Sequence, residues 1–226
     1  MALFPGPDSP TYRVWSAAAD VVILNVLTLV GCLPVVTAGA SLTACARVAG
    51  EMVADDDPAV VSAWWRSFRL NLRQSLAWWL PVLVLVVLSA WEYLLLSGSS
   101  VEERNSGTSG ALSGLVLAGG VLLAAILVWL LPLAAFFDAP VGRHLSNAIR
   151  LAVGRLGITV IALVIVAAPA IVFWGLPASR AAVAWFMVLV GPAFQTYLIA
   201  LLQRSTMVAL RGASTSESSM MRTRSR

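Results

Sequence analysis

The chain has 226 residues, 59% of them hydrophobic and 12% charged, with a mean hydropathy of +0.87. Soluble domains carry about 25% charged residues, so a soluble globular fold is excluded and lipid is the solvent. The cations are fifteen arginines with no lysine. The net charge of +4 belongs to arginines flanking membrane spans rather than to a nucleic-acid-binding domain. Cys32 and Cys45 lie in apolar sequence at a spacing that suits neither a disulfide framework nor zinc, and inert thiols are expected. The single histidine, His144, sits in charged sequence and is expected to be solvated or interfacial. With one histidine and no Cys/His cluster, no metal or cofactor is expected.

Residues 1–16 form a polar, Pro-containing extracytoplasmic segment ahead of an apolar run at 17–37. That run exceeds a usual signal-peptide core and lacks a net positive flank, so an uncleaved first span is expected. It breaks at Leu33-Pro34, and a small-residue segment leads on to Arg47. Beyond the acidic turn at Asp55, Asp56 and Asp57, the residues Val61, Trp64, Trp65, Phe68 and Leu72 recur at helical spacing. Arg66, Arg69 and Arg73 fall opposite, which predicts an amphipathic helix on a headgroup surface. A second span covers 75–97, and a Gly/Ser-rich acidic loop precedes a third at 112–136. Residues 138–155 repeat the basic amphipathic theme, with Leu145, Ala148, Ile149, Ala152 and Val153 as the apolar stripe and Arg143, Arg150 and Arg155 as cations. Spans at 156–175 and 182–203 follow, and the Ser/Thr/Arg-rich residues 206–226 are predicted to be a disordered cytoplasmic tail. The expected fold is all-α. It is a polytopic membrane bundle over 17–205, with five transmembrane helices plus two short amphipathic cytoplasmic elements.

Five crossings put the termini on opposite sides. With the N-terminus outside, twelve arginines face the cytoplasm and Arg13, Arg104 and Arg180 face outward, which is the positive-inside pattern. Trp15, Trp91, Trp174 and Trp185 then make an outer aromatic belt, and Trp64, Trp65, Trp78, Trp79 and Trp129 an inner one.

Intramembrane polar residues are the natural functional candidates. Asn25, Thr28 and Cys32 share one helix face, which is expected to point at another helix. Asp20 and Glu92 are expected near the outer interface. Gln195 and Thr196 lie beside Gly191-Pro192, and with Asn25 and Thr28 they form the candidate polar path. Every span carries a proline: Pro34, Pro81, Pro132, Pro169 and Pro192. Each removes a backbone donor and leaves a carbonyl that a neighbour must satisfy, so tolerated kinks are expected rather than one convergent site. A faint internal echo pairs the first break, amphipathic element and span with the set beginning at Leu131-Pro132.

Three stretches carry a family resemblance. Leu24-Asn25, then Leu33, Pro34, Thr37 and Gly39, form the first; Phe68 and Asn71 in FRLNLRQS, and Asn147 in LSNAIRLAV, mark the others. In order, they resemble the YesL-like bacterial membrane proteins, a domain of unknown function, over residues 20–205. The resemblance implies a partner relationship with carbohydrate ABC transport and supplies no catalytic or ligand residues. It implies a non-enzymatic accessory protein of the bacterial cytoplasmic membrane, associated with sugar ABC permease subunits. Trp64, Trp65, Arg66, Arg69, Arg73, Arg150 and Arg155 are its candidate lipid or partner surface. The alternative is a small secondary transporter or channel between kinked helices. An enzyme is disfavoured, because no H-E-x-x-H, G-x-S-x-G or Walker A sequence occurs.

Overall fold

A computed structural model of the chain describes residues 10–54, 56, 58–97 and 107–224. Among them there is no strand, and eight α-helices follow in order. These are α1 (Pro10–Cys32), α2 (Ala38–Val53), α3 (Val60–Ser97), α4 (Gly107–Phe136), α5 (Val141–Gly154), α6 (Leu156–Gly175), α7 (Arg180–Leu189) and α8 (Gly191–Arg224). The chain is an all-α, polytopic helical bundle. Four stretches are long and apolar enough to cross a membrane: Val14–Cys32, Val60–Trp91, Gly114–Phe136 and Leu156–Gly175. Pro177–Leu189 and Gly191–Gly212 make a fifth only if taken as one span bent by 72°. Asp55, Asp57 and residues 98–106 lie outside the described residues, as does the side chain of Glu92.

The break at Leu33-Pro34 reverses the chain. Pro34 cannot donate to continue α1, and one 3-10 turn (Val35–Thr37) leads into α2. Thr28 and Gly31 of α1 meet Ser41 of α2, while Val21 and Met52 line one cavity, so the two helices pack antiparallel. The start of α1 therefore lies at the same end of the bundle as Arg47. Residues 14–32 fit the expected first apolar span, while residues 38–53, expected only to re-aim the chain, form a helix that runs back along it. At 16 residues α2 is about 24 Å long, too short for a hydrocarbon core of about 30 Å. Eleven of its residues are buried, because Gly, Ala, Ser and Thr let α1, α3, α4 and α8 all approach it.

The predicted surface helix and the second span are one uninterrupted helix. With 38 residues α3 runs about 57 Å, far more than a bilayer core requires. Its first turns pack on α2, so Trp64 is 4% exposed and joins Leu24, Ala44, Cys45 and Val48 in a core cluster. Trp65 stays on the outer face under Arg69. The first amphipathic element is thus a packed helix end, not a separate element lying on headgroups. Nothing between Arg73 and Leu76 breaks helical geometry, which is why the two predictions merge.

The second amphipathic element is separate, as α5. It folds back along α4, burying Ala148 and Ala152 in a cluster with Trp129, Leu130 and Leu133, with His144 buried on the same face. His144 is 2% exposed, correcting the expected solvated position: its i, i+4 and i+8 neighbours form the inward row. Leu145, Ile149 and Val153 make a second, exposed apolar row, while Arg150 and Arg155 are exposed. The internal echo is partial, since α5 and α6 break at Arg155 where α3 does not.

The predicted span 182–203 is broken between α7 and α8 at Val190. The backbone of α8 stays helical to Arg224, where composition predicted disorder. Beyond Gly212 the sequence has no glycine or proline to stop it.

Candidate functional site

Three of the five span prolines, Pro132, Pro169 and Pro192, are matched by side-chain amides. A proline at position i leaves the carbonyl of i−4 without its helical donor. For Pro132 that carbonyl is Val128, and Gln203 Nε2 of α8 donates to it at 3.0 Å. For Pro169 it is Ile165, which accepts from Gln195 Nε2 at 2.6 Å. For Pro192 it is Val188, which accepts from Asn25 Nδ2 at 2.8 Å. Asn25 Oδ1 also accepts from the Ala193 amide at 3.1 Å, and Nδ2 lies 3.4 Å from the Met187 carbonyl, so one side chain caps both sides of the α7–α8 break. Asn25 and Gln203 are buried, and unpaired backbone groups there would lack water as an alternative partner.

The hairpin tip obeys the same rule. Thr37 Oγ1 lies 2.8 Å from the carbonyl oxygens of both Gly31 and Pro34, and the Thr37 amide donates to Pro34 at 2.7 Å. Trp79 Nε1 donates to the Val35 carbonyl at 2.8 Å. Gly39 permits that contact: a Cβ there would stand 2.8 Å from Cβ and Cγ of Trp79. Leu33, Val35 and Val36 at the tip are exposed apolar residues, and α3 continues about 27 Å beyond Trp79. The chain therefore turns back inside the apolar bundle, well short of its far end. Pro34, Thr37 and Gly39 each have a part in that turn.

The candidate polar path is accordingly engaged with backbone. Thr28 Oγ1 donates to Leu24 at 2.7 Å, and Thr196 Oγ1 to Pro192 at 2.8 Å. Leu24 is fully buried beside Cys45, which is buried and unpaired, as Cys32 is unpaired and half-buried. Thr159 closes the α5–α6 break, accepting from Trp129 Nε1 at 2.9 Å with the Ala152 carbonyl 3.0 Å away.

Polar side chains of both charge signs collect at the arginine-rich end, in a cavity of about 440 Å³ between α2, α3 and the α4–α5 corner. Arg47, Glu51, Arg66, Ser67, Asn71, Gln74 and Asp138 line it. Arg47 pairs with Glu51 one turn on, and its Nη1 donates to the Ala135 carbonyl at 2.8 Å. Gln74 Nε2 donates to Ala139 at 2.9 Å, fixing the corner, while Asn71 Nδ2 donates to Ser67 at 2.9 Å. Both signs of charge, amides and a hydroxyl thus share one recess. Phe68 stacks on Trp64 behind it, and Arg69 and Arg73 lie outside it. Asn147, Arg150 and Arg155 are exposed on α5 and its cap, away from this lining. His144 is near Asp138. Burial pushes its pKa below the ordinary 6.5, with the Asp138 carboxylate and the Ala139 backbone opposing.

Glu51, Gln74, Asp138 and Gln203 escaped the sequence reading, and Trp79 was placed only in an aromatic belt. For Trp79 and Gln203 no local signal exists, since each serves a carbonyl at least 44 positions away. Among the described residues no group of three or more His, Cys, Asp or Glu side chains could hold a metal ion.

No curated protein and no solved structure matches the chain. Residues 21–93, which hold most of the α1–α2 hairpin, most of α3 and most of the cavity's lining residues, match the model of a family described as Protein of unknown function, DUF624.

Proposed function

We propose that the chain is a non-enzymatic accessory subunit of a bacterial carbohydrate ABC uptake system, seated in the cytoplasmic membrane with its arginine-rich end in the cytoplasm. The observation that carries this reading is the recess lined by Arg47, Glu51, Arg66, Asn71, Gln74 and Asp138. A mixed-charge, amide-lined concavity on a membrane protein suits a polar helix or loop of a partner subunit, where complementary charge sets register and specificity. The ABC partner itself comes from the resemblance to YesL-like proteins. Asn25, Gln195 and Gln203 already serve helix breaks, which favours a bundle built to hold its shape over one lined for solute. In this reading both termini face the cytoplasm, which the antiparallel packing of α1 and α2 supports. Arg13 then joins the inner arginines and only Arg104 and Arg180 fall outside, a stronger positive-inside pattern than five crossings give.

The test is affinity purification of the tagged chain in mild detergent from cells expressing the permease at native level. Permease subunits co-purify with the wild type and are lost with the charge reversal Arg66→Glu. Recovery of the wild-type chain free of any permease subunit overturns the reading.

A further inference from the structure

A second, apolar cavity of about 350 Å³ lies between α2, α4, α6 and α8. Its lining includes Leu42, Leu127, Val166 and Ile199. It shares Ala46, Pro132, Ala200 and Gln203 with a smaller cavity of about 140 Å³ that reaches Phe136, Arg204 and Arg211. Through that shared lining the adjoining pair runs from an apolar interior to guanidinium groups at its mouth. Its length follows from α8, along which Gln195 and Arg211 stand about 24 Å apart. One leaflet's acyl chain spans about 15 Å, half of the roughly 30 Å core. Near the mouth, Arg47 and Arg211 both stack on the Phe136 ring, at 4.7 and 4.0 Å from its centroid. A guanidinium is a planar fork of donors that matches a phosphate's oxygens.

We propose that this recess binds one anionic phospholipid, with an acyl chain between α4 and α8 and its phosphate at Arg204 and Arg211. Basic pockets between helices at the cytoplasmic face are suited to anionic headgroups, and an apolar slot open at that end suits the attached chain. The proposal uses the membrane orientation given above and needs no protein partner.

Native mass spectrometry of the full chain, released from detergent with added phosphatidylglycerol or phosphatidylcholine of identical chains, tests it. The first phosphatidylglycerol binds at least tenfold more tightly than phosphatidylcholine. Arg204→Gln with Arg211→Gln brings the two within about twofold, and Arg204→Lys with Arg211→Lys restores the preference. Ala200→Phe, which fills the shared waist, lowers binding of both lipids by at least tenfold. A wild type without preference for the anionic lipid overturns the proposal. So does a preference that survives the glutamine pair, or undiminished binding in Ala200→Phe with helical content and monodispersity retained.

Discussion

Gln203 is assigned to the carbonyl that Pro132 frees, and a double-mutant cycle isolates that pairing. Gln203→Met keeps the volume of a side chain that is 2% exposed but removes the donor to Val128. A buried unpaired carbonyl costs about 1–3 kcal/mol in proteins at large. Interhelical hydrogen bonds in membranes average about 0.6 and reach about 1.7 kcal/mol. Because the Val128 carbonyl has lost its own helical donor, the upper part of the membrane range applies, and about 1–2 kcal/mol is expected. Pro132→Ala returns an N–H inside an otherwise continuous α4, so Val128 regains its helical partner. In that background Gln203→Met is close to neutral, and the coupling between the two changes is about 1–2 kcal/mol. Reversible unfolding in mixed detergent–dodecyl sulfate micelles reads all four corners. If Gln203→Met costs the same in the wild-type chain and in the Pro132→Ala background, the pairing argument is wrong.

Asn25→Ala strips the Val188 carbonyl and the Ala193 amide of their partner at once, and a loss of about 2–4 kcal/mol in the same unfolding assay is expected. Gly39→Leu drives side-chain atoms into Trp79 and costs about 1–3 kcal/mol by overpacking; Trp79→Phe, which only unpairs Val35, costs about 1 kcal/mol. For His144 the folded pKa lies below the 6.5 of the free side chain, so the unfolded chain binds the proton more readily. Stability is therefore flat above about pH 6.5 and falls as pH drops through that value, and His144→Gln removes that part of the pH dependence in unfolding titrations between pH 5 and 8.

Composition was enough to read the solvent, the helical class and nearly every apolar helix, because hydrocarbon permits so few backbone arrangements. The reversal at Leu33-Pro34 was not legible. A proline in an apolar run equally marks a kinked span, and it is the meeting of Thr28 and Gly31 with Ser41 that shows the chain turning back. In the proposed orientation that single difference makes the crossings even in number and moves Arg13 to the cytoplasmic side. Period alone located the amphipathic piece at Val61–Leu72 correctly. It could not tell a helix face that meets headgroups from one that meets α2, since both demand the same apolar spacing. The polar residues were visible as a set, but their roles depend on which carbonyl each one meets across the bundle. Glu51, Gln74 and Asp138 drew no notice because each looks like an ordinary loop or helix-end polar residue until α3 and the α4–α5 corner enclose them.

The antiparallel α1–α2 hairpin is the feature on which the proposed membrane orientation depends. Single cysteines at Thr11, Ala178 and Gly212, in a chain with Cys32→Ala and Cys45→Ala, report it through a membrane-impermeant maleimide applied to intact spheroplasts. The account predicts labelling of the Ala178 position alone, with Thr11 and Gly212 labelled only after lysis. Labelling of Thr11 from outside in intact spheroplasts, with Gly212 protected, would return α1 to a single crossing and contradict the account.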